Sequence, residues 1–189
     1  LNFKEKAGKY IDFLNANAYD KERDVRTNIA GEFQKSNLAA ALQTAELICG
    51  RLDEDKIYEA LSQIRISGRM EEIAPGIIVD VSHNIQGMQG FVQTVEANYH
   101  GMKKRILFAA SHQNEEEYMK NILKTIPEIE AFYTVGIHKR RINEAEFQDA
   151  FRKMIDRNQE TTVCFVVGSF YLAGMAKEFI NQEEENVRL

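Results

Sequence analysis

The second half of the chain repeats one pattern of apolar and polar positions. Short apolar runs lie at residues 76–81, 105–110, 131–135 and 161–167, and segments with helical spacing follow them at residues 87–98, 115–124, 144–157 and 170–181. Continuously apolar strands are typical of a parallel sheet that is covered by helices on both faces. Strands that alternate with helices over short connections favour right-handed crossovers. This half is therefore predicted to be α/β, with a doubly wound, mostly parallel, Rossmann-like sheet.

The first part of the chain has a different pattern. Two short β-like segments, residues 10–14 and 25–29, flank a polar stretch that favours a hairpin turn. Ser36 or Asn37 then precedes a run rich in Ala and Leu, which predicts a helix closed by Gly50 as its C-cap. A second helix is predicted over residues 54–64.

Gly68, Pro75 and Gly76 interrupt the chain between these two patterns. We place a domain boundary there, with a first domain over residues 1–67 and a second over residues 68–189. At about 150 residues per domain, 189 residues correspond to about 1.3 domains. Because the chain begins at Leu1 and not at Met, we expect it to be a piece of a longer polypeptide. The charged residues 183–186 near its end are expected to fray.

Composition narrows the range of partners. Twenty-four basic and 29 acidic residues give a net charge of −5, which does not favour nucleic acid as a partner. The apolar runs are too short to cross a bilayer, and no secretory leader is visible, so we expect a cytoplasmic protein without a membrane partner. Cys49 and Cys164 lie in apolar surroundings without CxxC spacing and are predicted to be buried free thiols.

Polar residues cluster where the predicted strands end. Ligands bind open α/β sheets at the carboxyl edge of the strands, and the first strand runs into Asp80-Val81-Ser82-His83-Asn84. A capped turn between strand and helix is the alternative interpretation of this cluster. A Ser-His-Asp hydrolase is disfavoured because neighbouring side chains cannot easily form both required hydrogen bonds. A metal site that recruits His112 is only weakly supported by the spacing.

Two further segments are candidates for binding an anion. Gly168 and Ser169 precede the last helix, whose free N–H groups favour a carboxylate or phosphate, although a plain N-cap explains the serine equally. Arg69 lies in the linker between the two regions, where its guanidinium is suited to bind a phosphate through two hydrogen bonds. An ordinary surface arginine is the alternative.

Three motifs together resemble the Mur ligase superfamily, and most closely folylpolyglutamate synthase/dihydrofolate synthase. They are Gly31-Glu32-Phe33-Gln34-Lys35-Ser36-Asn37 with the Ala-rich helix behind it, Gly68-Arg69-Met70-Glu71 followed by Asp80-Val81-Ser82-His83-Asn84, and Gly168-Ser169-Phe170-Tyr171-Leu172-Ala173-Gly174. The resemblance extends from about Arg26 to about Phe179. It implies that the chain comprises the C-terminal end of a central ATPase domain and a complete Mur ligase-like C-terminal domain.

The resemblance also implies an activity and its site residues. The reaction is the ATP-dependent addition of L-glutamate to a folate or dihydropteroate carboxylate through an acyl phosphate. By this resemblance Asn37 contacts the adenine, Arg69 the ATP phosphates and Asp80 the ribose. His83 carries a catalytic role and, with Ser169 and Tyr171, lines the glutamate site.

The same resemblance places part of the machinery outside the sequence. No GxxxxGK[ST] phosphate loop is present, so the Mg²⁺ ligands are expected mainly in a preceding ATPase domain of the same polypeptide. The fragment alone is expected to be inactive, and the protein to be a monomer. Ser111-His112-Gln113-Asn114 replaces the family's Asp-Lys-Asp, and Ile85 replaces its proline. An amide ligase for another carboxylate and a non-catalytic nucleotide-binding module therefore stay open as alternatives.

Overall fold

The computed structural model describes residues 32–50, 52–64, 66–138, 141–155 and 161–188. The chain divides into two compact units, Leu1–Arg65 and Ile66–Leu189. The β-like segments that were predicted at residues 10–14 and 25–29 lie outside the described residues. That the first unit is the end of an ATPase domain stays a prediction.

The first unit contains helix α1, Glu32–Cys49, and helix α2, Glu54–Gln63. Gly50 ends α1 as predicted, with a φ of +81° and an amide that donates to the Glu46 carbonyl at 2.9 Å. The predicted start at Ser36 or Asn37 is wrong, because the helix begins at Glu32. Residues 32–35 contain no glycine or proline that would stop the helix, and the Asn37 side chain bonds Gln34 Oε1 at 3.0 Å.

The described residues of the second unit form a five-stranded sheet, a two-stranded sheet and four α-helices. In chain order its elements are β1 (Glu71–Ala74), β2 (Ile77–Asp80), α3 (Ile85–Asn98), β3 (Lys103–Phe108), α4 (Glu116–Leu123), β4 (Ile129–Thr134), β5 (Ile137–His138), β6 (Arg141–Ile142), α5 (Glu144–Ile155), β7 (Thr162–Val167) and α6 (Phe170–Arg188). The strand order is β1-β2-β7-β3-β4, in which β1 alone is antiparallel to its neighbour. The predicted doubly wound, mostly parallel α/β fold is confirmed.

The sheet is covered on both faces. Ile78 packs in a cluster with Met88 of α3 and Met119 of α4. The next residue of the strand, Val79, faces the opposite cluster, which α5 and α6 supply. This alternation explains why β2 is apolar on both sides and why its sequence does not alternate.

Some elements differ from the prediction. Strand β1 and the β5–β6 hairpin were not predicted, because they are short and lie at the edge of the sheet or outside it. The expectation that residues 183–186 fray is also wrong, because α6 continues to Arg188. Residues 182–185 are Gln and Glu, which favour helices, and Glu183 lies 3.7 Å from Arg152 of α5. Within the described ranges, no helix is long and apolar enough to span a membrane.

Candidate functional site

Three loops meet at the carboxyl edge of the sheet. Asp80, Val167 and Phe108 are in register at the ends of the adjacent parallel strands β2, β7 and β3. The helices that follow β2 and β7 pack on opposite faces of the sheet. Such a divergence opens the crevice in which α/β domains bind ligands. The motifs singled out in the second unit follow β2 and β7, so the fold brings them to one edge.

Asp80 ties the loop after β2 to the turn that precedes β1. Its side chain is 2% exposed. Oδ1 accepts from the Ser82 amide at 2.8 Å and Oδ2 from the Met70 amide at 3.1 Å. Each oxygen keeps a further lone pair, but the carboxylate is already the anchor of the turn. Its contact with a ribose stays a prediction.

The turn that carries Arg69 is packed tightly against β2. Gly68 has a φ of +74°, and a Cβ built on it would lie 2.6 Å from Val81 Cγ1. Its carbonyl accepts from the Val81 amide at 2.8 Å. Met70 also has a positive φ of 45°, which is unfavourable for a non-glycine residue and persists only where neighbouring contacts enforce it.

A lysine from the last helix closes this turn. Glu71 Oε2 accepts from the Gly68 amide at 2.6 Å and from Lys177 Nζ at 2.5 Å, and Lys177 also donates to Ser67 Oγ at 2.6 Å. Burial by itself raises the pKa of Glu71, but the hydrogen bonds from Lys177 and Gly68 and the lysine charge outweigh it and lower the pKa. Sequence reasoning missed Lys177, because no local pattern pairs it with a residue 106 positions away.

His83 stands between two of the loops. Its Nδ1 lies 3.0 Å from the Val81 carbonyl. Because a carbonyl only accepts, Nδ1 carries the hydrogen, and Nε2 of the neutral ring is left as an acceptor. The imidazole also packs against the Phe170 ring at a centroid distance of 5.5 Å, which joins the loops after β2 and β7.

Ser169 caps α6, as the sequence predicts. Its Oγ accepts from the Tyr171 amide at 3.1 Å, and the residue is 1% exposed. Tyr171 is 43% exposed, so its ring is accessible at this edge. The structure thus brings Asp80, His83, Ser169 and Tyr171 to one edge. Asn37 is an exposed residue of α1 in the first unit.

The hydroxyl of Ser82 and the loop after β3 complete the edge. Ser82 Oγ is buried without a hydrogen-bond partner among the described residues, and it faces the first turn of α3 beside Gly87. Asn84 caps that helix by accepting from the Gly87 amide at 2.7 Å. Ser111 reaches the Gly168 carbonyl at 3.4 Å, while His112 is exposed. The part of the chain that the structure describes holds no group of three or more His, Cys, Asp or Glu that is placed for a metal.

The fold and this edge define an α/β domain with a mostly parallel sheet and a candidate ligand site at the carboxyl ends of its strands. No family model matches the chain. An alignment of length 109 that covers 54% of this chain and 25% of the relative shows 23% identity to a dihydrofolate synthase/folylpolyglutamate synthase of Bacillus subtilis (strain 168). The sequence resemblance to these ligases is therefore confirmed.

Solved structures show the same fold. An FPGS–AMPPCP–folate complex superposes with a TM-score of 0.66 at 20% identity, and the match covers 82% of this chain and 38% of the FPGS chain. E. coli FolC in complex with DHPP and ADP superposes with a TM-score of 0.71 at 16% identity, over 82% of this chain and 40% of its own. The chain thus spans less than half the length of these proteins, which is consistent with a C-terminal portion.

Proposed function

We propose that this chain is the C-terminal part of an ATP-dependent amide ligase that adds L-glutamate to a folate or dihydropteroate carboxylate. The observation that carries the proposal is the common edge on which the Arg69 turn, His83 and Ser169 meet, in a fold shared with ligases that were solved with ADP or AMPPCP. A preceding ATPase domain of the same polypeptide supplies the phosphate loop.

The reaction requires a cation where the phosphoryl group is transferred and a proton acceptor where the amine attacks. The carboxylate takes the terminal phosphoryl group of ATP, ADP leaves, and the glutamate amine then attacks the acyl phosphate and expels phosphate. Arg69 stabilises the negative charge on the transferred phosphoryl oxygens. In this proposal Asp80 contacts the ribose and Asn37 the adenine.

The amine must lose a proton when it attacks. With Nδ1 held by the Val81 carbonyl, Nε2 of His83 is the free acceptor for that proton. Ser169 and Tyr171 line the glutamate site, where the N-terminus of α6 favours a carboxylate. Mg²⁺ would neutralise the phosphate oxygens. The described residues offer no set of ligands for it, and the resemblance implies that its ligands lie mainly in the preceding domain.

Two other functions are alternatives to this proposal. The exposed Ser111-His112-Gln113-Asn114 segment lies beside Gly168 at this edge and differs from the family's Asp-Lys-Asp, which favours an amide ligase for another carboxylate as the second candidate. A nucleotide-binding module without turnover is the third, and it is the choice if the preceding codons encode no glycine-rich loop with Lys-Ser/Thr.

The test is ADP release by the complete polypeptide with L-glutamate and a panel of carboxylates. We expect release with a folate or a dihydropteroate. ADP release only with another carboxylate supports the second candidate. If no carboxylate of the panel causes ADP release, the proposal that the protein is a ligase is contradicted.

Two substitutions then test the residue roles. Arg69→Ala is expected to slow turnover by about a hundredfold, because it removes a charge that stabilises the transition state. Ser169→Ala is expected mainly to raise the KM for glutamate. Equal and negligible effects of both would contradict the site assignment.

A further inference from the structure

Hydrogen bonds hold the Ser67–Glu71 turn at several points. Lys177 binds Ser67 Oγ and Glu71, Glu71 binds the Gly68 amide, and Asp80 binds the Met70 amide. The Arg69 amide donates to the Ile66 carbonyl at 3.1 Å. Arg69 is a half-buried residue, and its guanidinium makes no hydrogen bond or ion pair within the described residues.

An arginine that has no partner among the described residues and lies two residues from a carboxylate needs an explanation. Glu71 is a ready partner for Arg69, because a guanidinium binds carboxylates in forked geometry. In the structure the glutamate is already held by Lys177, at 2.5 Å, and by the Gly68 amide. The lysine is therefore the counterion of Glu71 in the structure.

We propose that Lys177 is a positioning residue, which holds Glu71 away from Arg69 and so keeps the arginine unpaired and ready for the phosphates of a nucleotide. This inference rests on the proposed function for the identity of the phosphate compound. The pairing of Lys177 with Glu71 within the second unit does not depend on it.

The strained backbone gives the arrangement a second role. Met70 with its positive φ, and Gly68 against Val81, both need the surrounding hydrogen bonds to stay in place. Lys177 fastens both ends of the turn, at Ser67 and at Glu71. Loss of the lysine thus frees the carboxylate and loosens the segment that carries Arg69.

The first experiment follows the side chain of Arg69 by NMR in the 189-residue chain. In Lys177→Met the Arg69 Nε–Hε signal is expected to move, and its exchange with water to slow by roughly tenfold, the scale of a hydrogen bond to a charged group. In the double variant Lys177→Met/Glu71→Gln, which removes the competing charge, the signal is expected to return toward its original position. An unchanged signal in the single variant overturns the proposal.

The second experiment measures the KM for ATP in the complete polypeptide. Lys177→Met is expected to raise it about tenfold, Lys177→Arg to keep it near the original value, and the double variant to recover most of the loss. A double variant as weak as the single one overturns the proposal, as does an unchanged KM in the single variant. Circular dichroism melts identify a variant that fails to fold.

The two experiments separate this proposal from the proposed function. If the complete polypeptide shows no ATP-dependent reaction, the proposed function fails, and the NMR comparison still decides whether Lys177 keeps Arg69 unpaired.

Discussion

At the scale of single residues, the two cysteines show how exposure to solvent determines the reactivity of a thiol. Both were predicted to be buried, but Cys49 is exposed, and the prediction was wrong for it. Cys49 is the last residue of α1 and follows Leu47 and Ile48, which are themselves 52% and 76% exposed. Cys164 lies in the central strand β7, where burial raises the pKa of its thiol to about 11.

Thiol reactivity should separate the two residues. At pH 8 we expect an aromatic disulfide reagent to modify Cys49 within minutes and to leave Cys164 unmodified, because only the thiolate attacks and a pKa of about 11 leaves almost none. Absorbance of the released thiol measures the count, and denaturant should expose the second group. Cys49→Ser is the control, and rapid reaction in that variant would contradict the prediction.

At the scale of elements, the turns that follow the strands depend on backbone geometry. Gly168 follows β7 with a φ of +107°, and a Cβ there would lie 2.6 Å from the Ala109 carbonyl oxygen and from Phe108 Cε2. A side chain at this position is excluded both by conformation and by space. The turn from β7 into α6 thus places Ser169 at the carboxyl edge, next to the loop after β3.

Gly168→Ala should therefore destabilise the fold. We expect a loss of at least about 2 kcal/mol in the free energy of unfolding, from backbone strain and overpacking. Gly174→Ala, in α6 with nothing within 4 Å of the added atom, is the matched control and should gain up to about 1 kcal/mol. Urea titrations measure both, and a loss below about 0.5 kcal/mol for Gly168→Ala would show that the turn relaxes.

At the scale of the whole second unit, charged pairs close the amino edge of the sheet. Lys104 is fully buried and bonds Glu128 at 2.9 Å, while Arg105 bonds Glu130 at 2.9 Å and the Met154 carbonyl at 3.0 Å. These contacts join β3 to β4 and α5. The hydrogen bonds from Lys104 and Arg105 lower the pKa values of Glu128 and Glu130, respectively.

These shifts give the stability a pH dependence of known sign. A carboxylate whose folded pKa is lowered stabilises the fold above its unfolded value, near pH 4.3, and loses that contribution as the pH falls toward the folded value. We expect the urea midpoint to drop between pH 6 and pH 3. The drop should be smaller in Glu130→Gln, while Glu117→Gln on the exposed side of α4 should leave it unchanged. Equal slopes in all three proteins would contradict this account.

The sequence by itself determined the architecture of the second unit. Continuous apolar runs such as β7 and the helical spacing of α3 to α6 require a covered parallel sheet, because only that arrangement buries both sides of each strand. The Ser169 cap and the Gly50 helix end were also predicted, because they depend on local geometry alone. Helix α1 shows the limit of local sequence patterns. Ser36 and Asn37 resemble N-cap residues, but they lie inside the helix and do not mark its start.

Only the tertiary structure decided which groups meet. The insertion of β7 between β2 and β3 brings Phe170 to His83 and Gly168 to Ser111, and the packing of α6 brings Lys177 to Glu71. The physical reason is that pairing across the sheet depends on strand order and helix packing, which involve residues up to 110 positions apart. Local patterns of hydrophobicity fix each element, whereas the partner of each charged side chain is fixed by the fold.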